Sequence, residues 1–466
     1  MNEETPAASN GQRSPEREFW SSRIGFIFAT MGSAVGLGSI WKFPYEVGAN
    51  GGSVFIIFYL LGIAIVVLPL LLLEFAIGRR GRADASTSLR EVARAAGATP
   101  AWAAVGLLGI VASVLILSFY SVIGGWALAY LVETLHGGLP AAAPEPAQAR
   151  FDALMASPLR MIAYHSLFLV VTAFIVARGI VHGIERACAI LMPAMILLIV
   201  ALAAYSVIEG DSAAALRFLF HFDWSQATPR VALEALGLGF FSIGVGLAVM
   251  ITYAAHAGPE IHLRQIAVVS VAADTAISFL SGLAIFPIVF AHGLSPSSGP
   301  GLMFVSLPLA FANVPFGVWA AAAFFLLLAL AAIASAISLL EMPVALLERR
   351  FGMRRPLAVP VAAATCWALG LSSVFSFNIW AGWFPLAQLP FFATATAFDL
   401  TDHLTSNLML PLGGLALSLF GGWALPERMI AEELRLSPPM ARLLRWILRY
   451  AAPLVIAAVA LAPAFL

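Results

Sequence analysis

Gly32-Ser33-Ala34-Val35-Gly36-Leu37-Gly38-Ser39-Ile40-Trp41-Lys42-Phe43-Pro44-Tyr45 decides how this chain is read. The stretch lies in an apolar segment, yet it holds three glycines, two serines and a proline. A plain membrane-spanning helix has little use for that mixture. A broken helix that turns its own carbonyls toward an ion does, because free carbonyls at membrane depth are costly unless they line a cavity or bind something. A packing surface of small residues is the bland alternative. Working outward, 61% of the 466 residues are hydrophobic and 11% are charged. A soluble domain carries about 25% charged residues, so the expectation is an all-α polytopic membrane protein with the lipid bilayer as its surroundings. Net charge is zero and no basic tract marks a nucleic-acid partner. Cys188 and Cys366 both fall in apolar segments and form neither a disulfide framework nor a metal site.

At roughly 20 apolar residues per crossing, the chain reads as about 11 transmembrane helices: 23–46, 53–78, 101–134, 160–177, 187–208, 231–256, 264–292, 315–346, 357–374, 404–425 and 446–465. Arginines cluster in alternate connections, beginning with Arg13, Arg17 and Arg23, and including Arg79, Arg80 and Arg82. The positive-inside rule then expects a cytoplasmic N-terminus in a multi-pass protein of the inner or plasma membrane. Residues 1–20 are polar, without the apolar core of a signal peptide, and read as a cytoplasmic tail. Lys42 is the only lysine in the chain.

Span six repeats the oddity of span one, with four glycines in Gly237-Leu238-Gly239-Phe240-Phe241-Ser242-Ile243-Gly244-Val245-Gly246. Gly-interrupted segments at matching places in two halves point to a transporter with inverted repeats and a midplane site. The organisation expected is a 5+5 inverted repeat with broken helices 1 and 6: residues 21–210 as the first five-helix repeat, 211–430 as the second, and 431–466 as an eleventh span.

At these residues the chain resembles the neurotransmitter:sodium symporter family, in particular its bacterial amino-acid transporters. The resemblance rests on Gly32–Tyr45, Asn50-Gly51-Gly52, Arg178-Gly179-Ile180, Gly183-Ile184-Glu185-Arg186, Phe240–Gly246 and Thr405-Ser406-Asn407. It implies symport by alternating access rather than enzymatic chemistry. Gly36 stands where monoamine carriers place an aspartate, which implies an α-amino-acid substrate. The substrate carboxylate would meet the N–H groups near Gly36 and Leu37 and the hydroxyl of Tyr120. The amine would meet carbonyls near Ala34, Phe241 and Gly244. The walls implied are Ile116, Tyr120, Phe241, Val245, Gly246, Leu247, Ser335 and Leu339. Gly244 and Leu247 enlarge the pocket relative to some relatives, so the expected cargo is a hydrophobic or aromatic amino acid.

The resemblance also implies one or two Na⁺ ions. The first site maps to the Ala34 carbonyl and the side chains of Ser39, Ser242 and Asp274. Ser39 and Asp274 both replace asparagines of the family pattern. The second maps to the carbonyls of Gly32, Val35 and Ala331 with the Ser335 hydroxyl, and Ala334 lacks the side-chain ligand usual there. Chloride is not expected, because Asp274 already supplies negative charge among Tyr59, Leu238, Ser242 and Ser278. Asp274 is also the natural proton acceptor once Na⁺ leaves. The gates implied are Lys42 with Asp402, Asp399 competing, on one side, and Arg17 with Trp20 on the other. Arg349 occupies the place of the latch's acidic partner, next to Glu348. Glu74 is expected to brace the unwound part of span six. A non-transporting amino-acid sensor and a proton-coupled transporter stay open, and a homodimer is a candidate assembly.

Overall fold

A computed structural model describes residues 18–141, 143–294 and 301–465, with side chains to residue 461. Arg17, and with it nearly all of the tail, lies outside the described residues. The long apolar runs fold as helices because lipid offers backbone groups no other partner. They are α3 (Ser53–Gly81), α4 (Pro100–Gly137), α5 (Pro158–Ala177), α6 (Ile180–Glu209), α9 (Leu263–Ala291), α10 (Gly317–Phe351), α11 (Arg355–Ser376), α12 (Ala397–Ala424) and α13 (Pro438–Leu461). Among the described residues these nine are long and apolar enough to cross a membrane.

Two further stretches are interrupted, the first of which makes a tenth crossing by length and composition among the described residues. The first is α1 (Arg23–Ala34) followed by α2 (Gly38–Ala49), bent by 53°. The second is α7 (Pro229–Ile243) followed by α8 (Val249–Ala254). Both breaks fall where the glycines fall. Val35 is extended at the end of α1. Gly244 and Gly246 take φ of 68° and 94°, a left-handed backbone that suits glycine. Ala248 takes φ of 61° without that freedom, so the tertiary structure holds it there against its own preference.

The packing has a two-fold pattern. The first span lies against α9, and the sixth lies against α3. Exchanging span one with span six and span two with span seven turns one contact into the other. The α10 helix runs through the middle beside α4, with 83% of its apolar window buried in the protein against 22% for α13. The last span therefore faces lipid, while α10 forms the wall on which the broken helices rest. Glu74, fully buried on α3, accepts the Gly246 N–H at 2.7 Å and the Met250 N–H at 3.2 Å. Those donors are orphaned by the break, and a carboxylate with two oxygens satisfies both.

Candidate functional site

The break in span one places three kinds of group together. The Leu37 N–H donates to the Tyr120 hydroxyl of α4 at 3.3 Å. A Cβ on Gly36 would lie 3.0 Å from that same hydroxyl and would overlap the Ser335 hydroxyl of α10. Gly36 is therefore glycine for space. Ile116 and Tyr120 are buried one turn apart on α4, and Ala331, Ser335 and Leu339 follow at one-turn intervals on a buried face of α10. From span six, Val245 and Leu247 are buried and Phe241 is partly exposed. Gly246 passes close to α12, where a Cβ would lie 2.9 Å from the Leu410 carbonyl oxygen and the Gly414 nitrogen.

Oxygen atoms converge at two points. Ser39 donates a short hydrogen bond to Asp274 Oδ1 and lies 3.1 Å from the Ser242 hydroxyl. Ser242 donates to Asp274 Oδ2 at 3.2 Å, and the Tyr59 hydroxyl lies 3.5 Å from the same oxygen. Three hydroxyls thus turn toward one fully buried carboxylate, leaving lone pairs for a hard cation. Ala34, buried at the end of α1, belongs to the same break. Ser278 is buried on α9 with no hydrogen-bond partner for its hydroxyl.

At the second point the Ser335 hydroxyl faces the carbonyls of Gly32, Ser33 and Val35 at 3.4, 3.4 and 3.3 Å. One hydroxyl proton cannot satisfy three acceptors. The cluster is electron-rich, buried and made of oxygen, which is the chemistry a hard cation seeks. A Cβ on Gly32 would lie 3.5 Å from the Ala334 Cβ, so the residue lacking a ligating group points at the break.

The two ends of the molecule differ. At the N-terminal end a strap seals the bundle. Trp20 is buried, its indole donating to the Tyr253 carbonyl at 2.9 Å and its backbone N–H to the His256 carbonyl at 3.1 Å. Ser21 donates to Glu185 from its N–H at 2.9 Å and its hydroxyl at 2.6 Å, and Ser22 from its hydroxyl at 3.1 Å. The Ile180 N–H donates to Glu18 at 2.8 Å. Glu185 stands in the Gly183–Arg186 motif, but nothing in that pattern ties it to Ser21. Arg355 of α11 bonds Glu341 and, at 3.1 Å, Glu348 of α10, so Glu348 is engaged across the α10–α11 turn and not by the strap. Arg349 donates to the Arg82 carbonyl at 3.1 Å.

At the opposite end a cavity of about 790 Å³ opens, lined by Lys42, Glu46, Phe241, Ser406 and Asn407 among others. Lys42 Nζ sits 4.2 Å from the centroid of the Phe241 ring. Asp402 instead accepts from the Ser406 hydroxyl at 2.7 Å, and Asp399 caps its own helix through Thr396. Lys42 therefore forms no ion pair with either aspartate in this structure.

One end of the molecule is thus closed by the strap, and the other opens into the cavity. A model of the sodium:neurotransmitter symporter family matches residues 17–148 and 159–405. The chain belongs to this family. As a symporter of that family it is a multi-pass transporter and not an enzyme, and sodium dependence comes with the family. It is 34% identical over 416 residues to an uncharacterized sodium-dependent transporter, YhdH, of Bacillus subtilis, covering 89% of this chain and 90% of that one. A Haemophilus influenzae sodium-dependent transporter, also uncharacterized, is 30% identical over 424 residues, covering 90% and 91%. The crystal structure of MhsT in complex with L-phenylalanine superposes with a TM-score of 0.86 at 41% identity, covering 96% of this chain and 99% of that chain.

Proposed function

We propose that this symporter couples inward movement of Na⁺ to uptake of hydrophobic and aromatic α-amino acids across the cell membrane, with its N-terminus in the cytoplasm. One observation carries the reading: the Leu37 N–H and the Tyr120 hydroxyl meet beside a Gly36 that has no room for a side chain. A substrate carboxylate would take both donors. A backbone N–H at a helix break also favours negative charge. A monoamine would leave them without an anion. The L-phenylalanine held by MhsT supports the substrate class.

Na⁺ is cargo here, and the oxygen clusters support two unequal places for it. The cluster around Asp274, with Ala34, Ser39 and Ser242, brings a full negative charge. The cluster of Gly32, Val35, Ala331 and Ser335 offers neutral ligands only and lacks a side-chain ligand at Ala334, so it is the weaker place. The substrate carboxylate joins the first ion, which ties the two cargoes together. Chloride is not required, because an anion beside Asp274 would face a like charge in a low dielectric. Gly244, Gly246 and Leu247 let the span-six wall adjust, and each methylene in such a wall discriminates by only about 1–3 kcal/mol, so specificity is broad.

Competition of unlabelled amino acids against labelled phenylalanine, bound to the purified protein in Na⁺, tests the reading. Leucine, tryptophan and phenylalanine should compete, and glycine, glutamate and dopamine should not. Equal competition by dopamine would contradict the roles of Gly36, Leu37 and Tyr120.

A further inference from the structure

The last two spans build a site that the transport cycle leaves unused. The close of α12, Phe420–Ala424, and the middle of α13, Ile447–Ala451, are both π-helical turns, and they lie against each other. The two backbones meet closely, since a Cβ on Gly422 would lie 2.7 Å from the Arg449 Cα. The Ser418 hydroxyl donates to the Leu448 carbonyl at 2.7 Å, and the Trp423 indole N–H to the Arg449 carbonyl at 3.2 Å. This geometry aims the Arg449 side chain along the outside of the bundle. Its guanidinium lies 3.7 Å from the centroid of the Trp423 ring and 5.6 Å from that of Tyr450.

The guanidinium is held but unanswered. Arg449 Nε is buried with no hydrogen-bond partner, and no carboxylate pairs with Arg449 among the described residues. Arg442 and Arg445 precede it at helical spacing on the same face, and α13 carries no acidic residue. Arg445 reaches Glu427 only at 4.0 Å. Trp423 of α12 and Trp446 and Tyr450 of α13 are all exposed, and α13 faces lipid. The Trp423 end of α12 lies toward the strap side, because the Phe420 ring centroid is 5.0 Å from that of Trp102 at the start of α4, and the preceding helix α3 ends beside Arg82, whose guanidinium lies over the Phe19 ring of the strap.

We infer that Arg449, with Trp423 and Tyr450, forms a binding site for the phosphate of an anionic phospholipid headgroup in the leaflet on the strap side. The planar guanidinium offers paired donors to phosphate oxygens. The aromatic rings sit at the level where such side chains meet headgroups, and basic pockets on that side suit anionic lipids. A lipid held there would staple α13 to α12.

Native mass spectrometry of the full chain, incubated with equal amounts of phosphatidylglycerol and phosphatidylcholine, tests the site. Wild-type protein should retain phosphatidylglycerol about fivefold over phosphatidylcholine, on the order of one surface charge's attraction. Arg449→Gln should abolish that preference and Arg449→Lys should weaken it, each with an unchanged size-exclusion profile. Arg178→Gln, removing another surface arginine over an aromatic ring, should leave it intact. Should Arg449→Gln alter the profile, Trp423→Leu takes its place and should also reduce retention. Equal retention by wild type and Arg449→Gln, or equal loss in Arg178→Gln, would overturn the assignment. Displacement of the lipid by millimolar inorganic phosphate would reassign the pocket to the free anion and overturn the lipid site.

Discussion

Glu74 on α3 accepts the Gly246 N–H of span six at 2.7 Å, so one helix carries the broken backbone of another. The second carboxylate oxygen takes the Met250 N–H. Glutamine keeps one acceptor and turns an NH₂ toward a donor. A hydrogen bond to a charged group contributes about 1.5–3 kcal/mol. Glu74→Gln should therefore lower the thermal unfolding midpoint and remove most of the uptake, read by a melting curve and by transport. An unchanged melting curve with full uptake would show that the brace is dispensable.

Gly36 has no space for a methyl group between Tyr120 and Ser335. Gly36→Ala should raise the apparent KM for phenylalanine at least about tenfold, a loss on the scale of one misfitted group in an apolar pocket. The melting midpoint should fall as well, because the added methyl overlaps the Ser335 hydroxyl and overpacking costs about 1–3 kcal/mol. KM measured by initial-rate uptake decides the matter, and a wild-type KM would move the substrate elsewhere.

Asp274 sets a formal negative charge against the Ser39, Ser242 and Tyr59 hydroxyls. Its removal should weaken the ion and open the place to an anion at once. Asp274→Asn should raise the Na⁺ concentration for half-maximal uptake and make uptake respond to chloride. Wild-type uptake should be the same in chloride and gluconate. Chloride dependence in the wild type would show that the aspartate does not stand in for the anion.

How much of this is legible in the sequence differs by element. The spans at 53–78 and 264–292 emerge as Ser53–Gly81 and Leu263–Ala291, because a long apolar run in lipid has one outcome. The breaks at Val35 and Gly244–Ala248 follow from glycines in apolar segments. What stays hidden rests on partners far apart in sequence. Nothing in the composition of Ser21 and Glu185, or of Trp20 and Tyr253, announces that they meet. The π turns near Arg449 leave no compositional mark. The Lys42–Asp402 pair is expected on resemblance, and Lys42 lies over Phe241 instead. In this structure the cavity at that end is open, which leaves the gate residues apart.

His256 lies past the end of α8 and bonds through Nδ1 to the Glu18 carbonyl at 2.7 Å. Burial lowers its pKa below the ordinary histidine value, ahead of the opposing hydrogen bond to the Glu18 carbonyl. The folded pKa is depressed, so the unfolded chain binds more protons as pH falls. The contribution of the neutral ring is present above about pH 6.5, the ordinary value, and is lost as pH drops through the folded pKa. The unfolding midpoint should decline between about pH 7 and pH 5, and His256→Gln should flatten that part of the profile. A profile identical in both proteins would exclude the strap contact as a proton-sensitive element.

The most direct measurement is uptake of labelled phenylalanine into proteoliposomes under an inward Na⁺ gradient, with a choline gradient and a proton gradient alongside. Sodium-coupled symport predicts concentrative uptake with Na⁺ alone, abolished by Asp274→Ala and weakened by Ser335→Ala. Accumulation driven by protons and indifferent to Na⁺, or Na⁺-dependent binding with no accumulation, would contradict it.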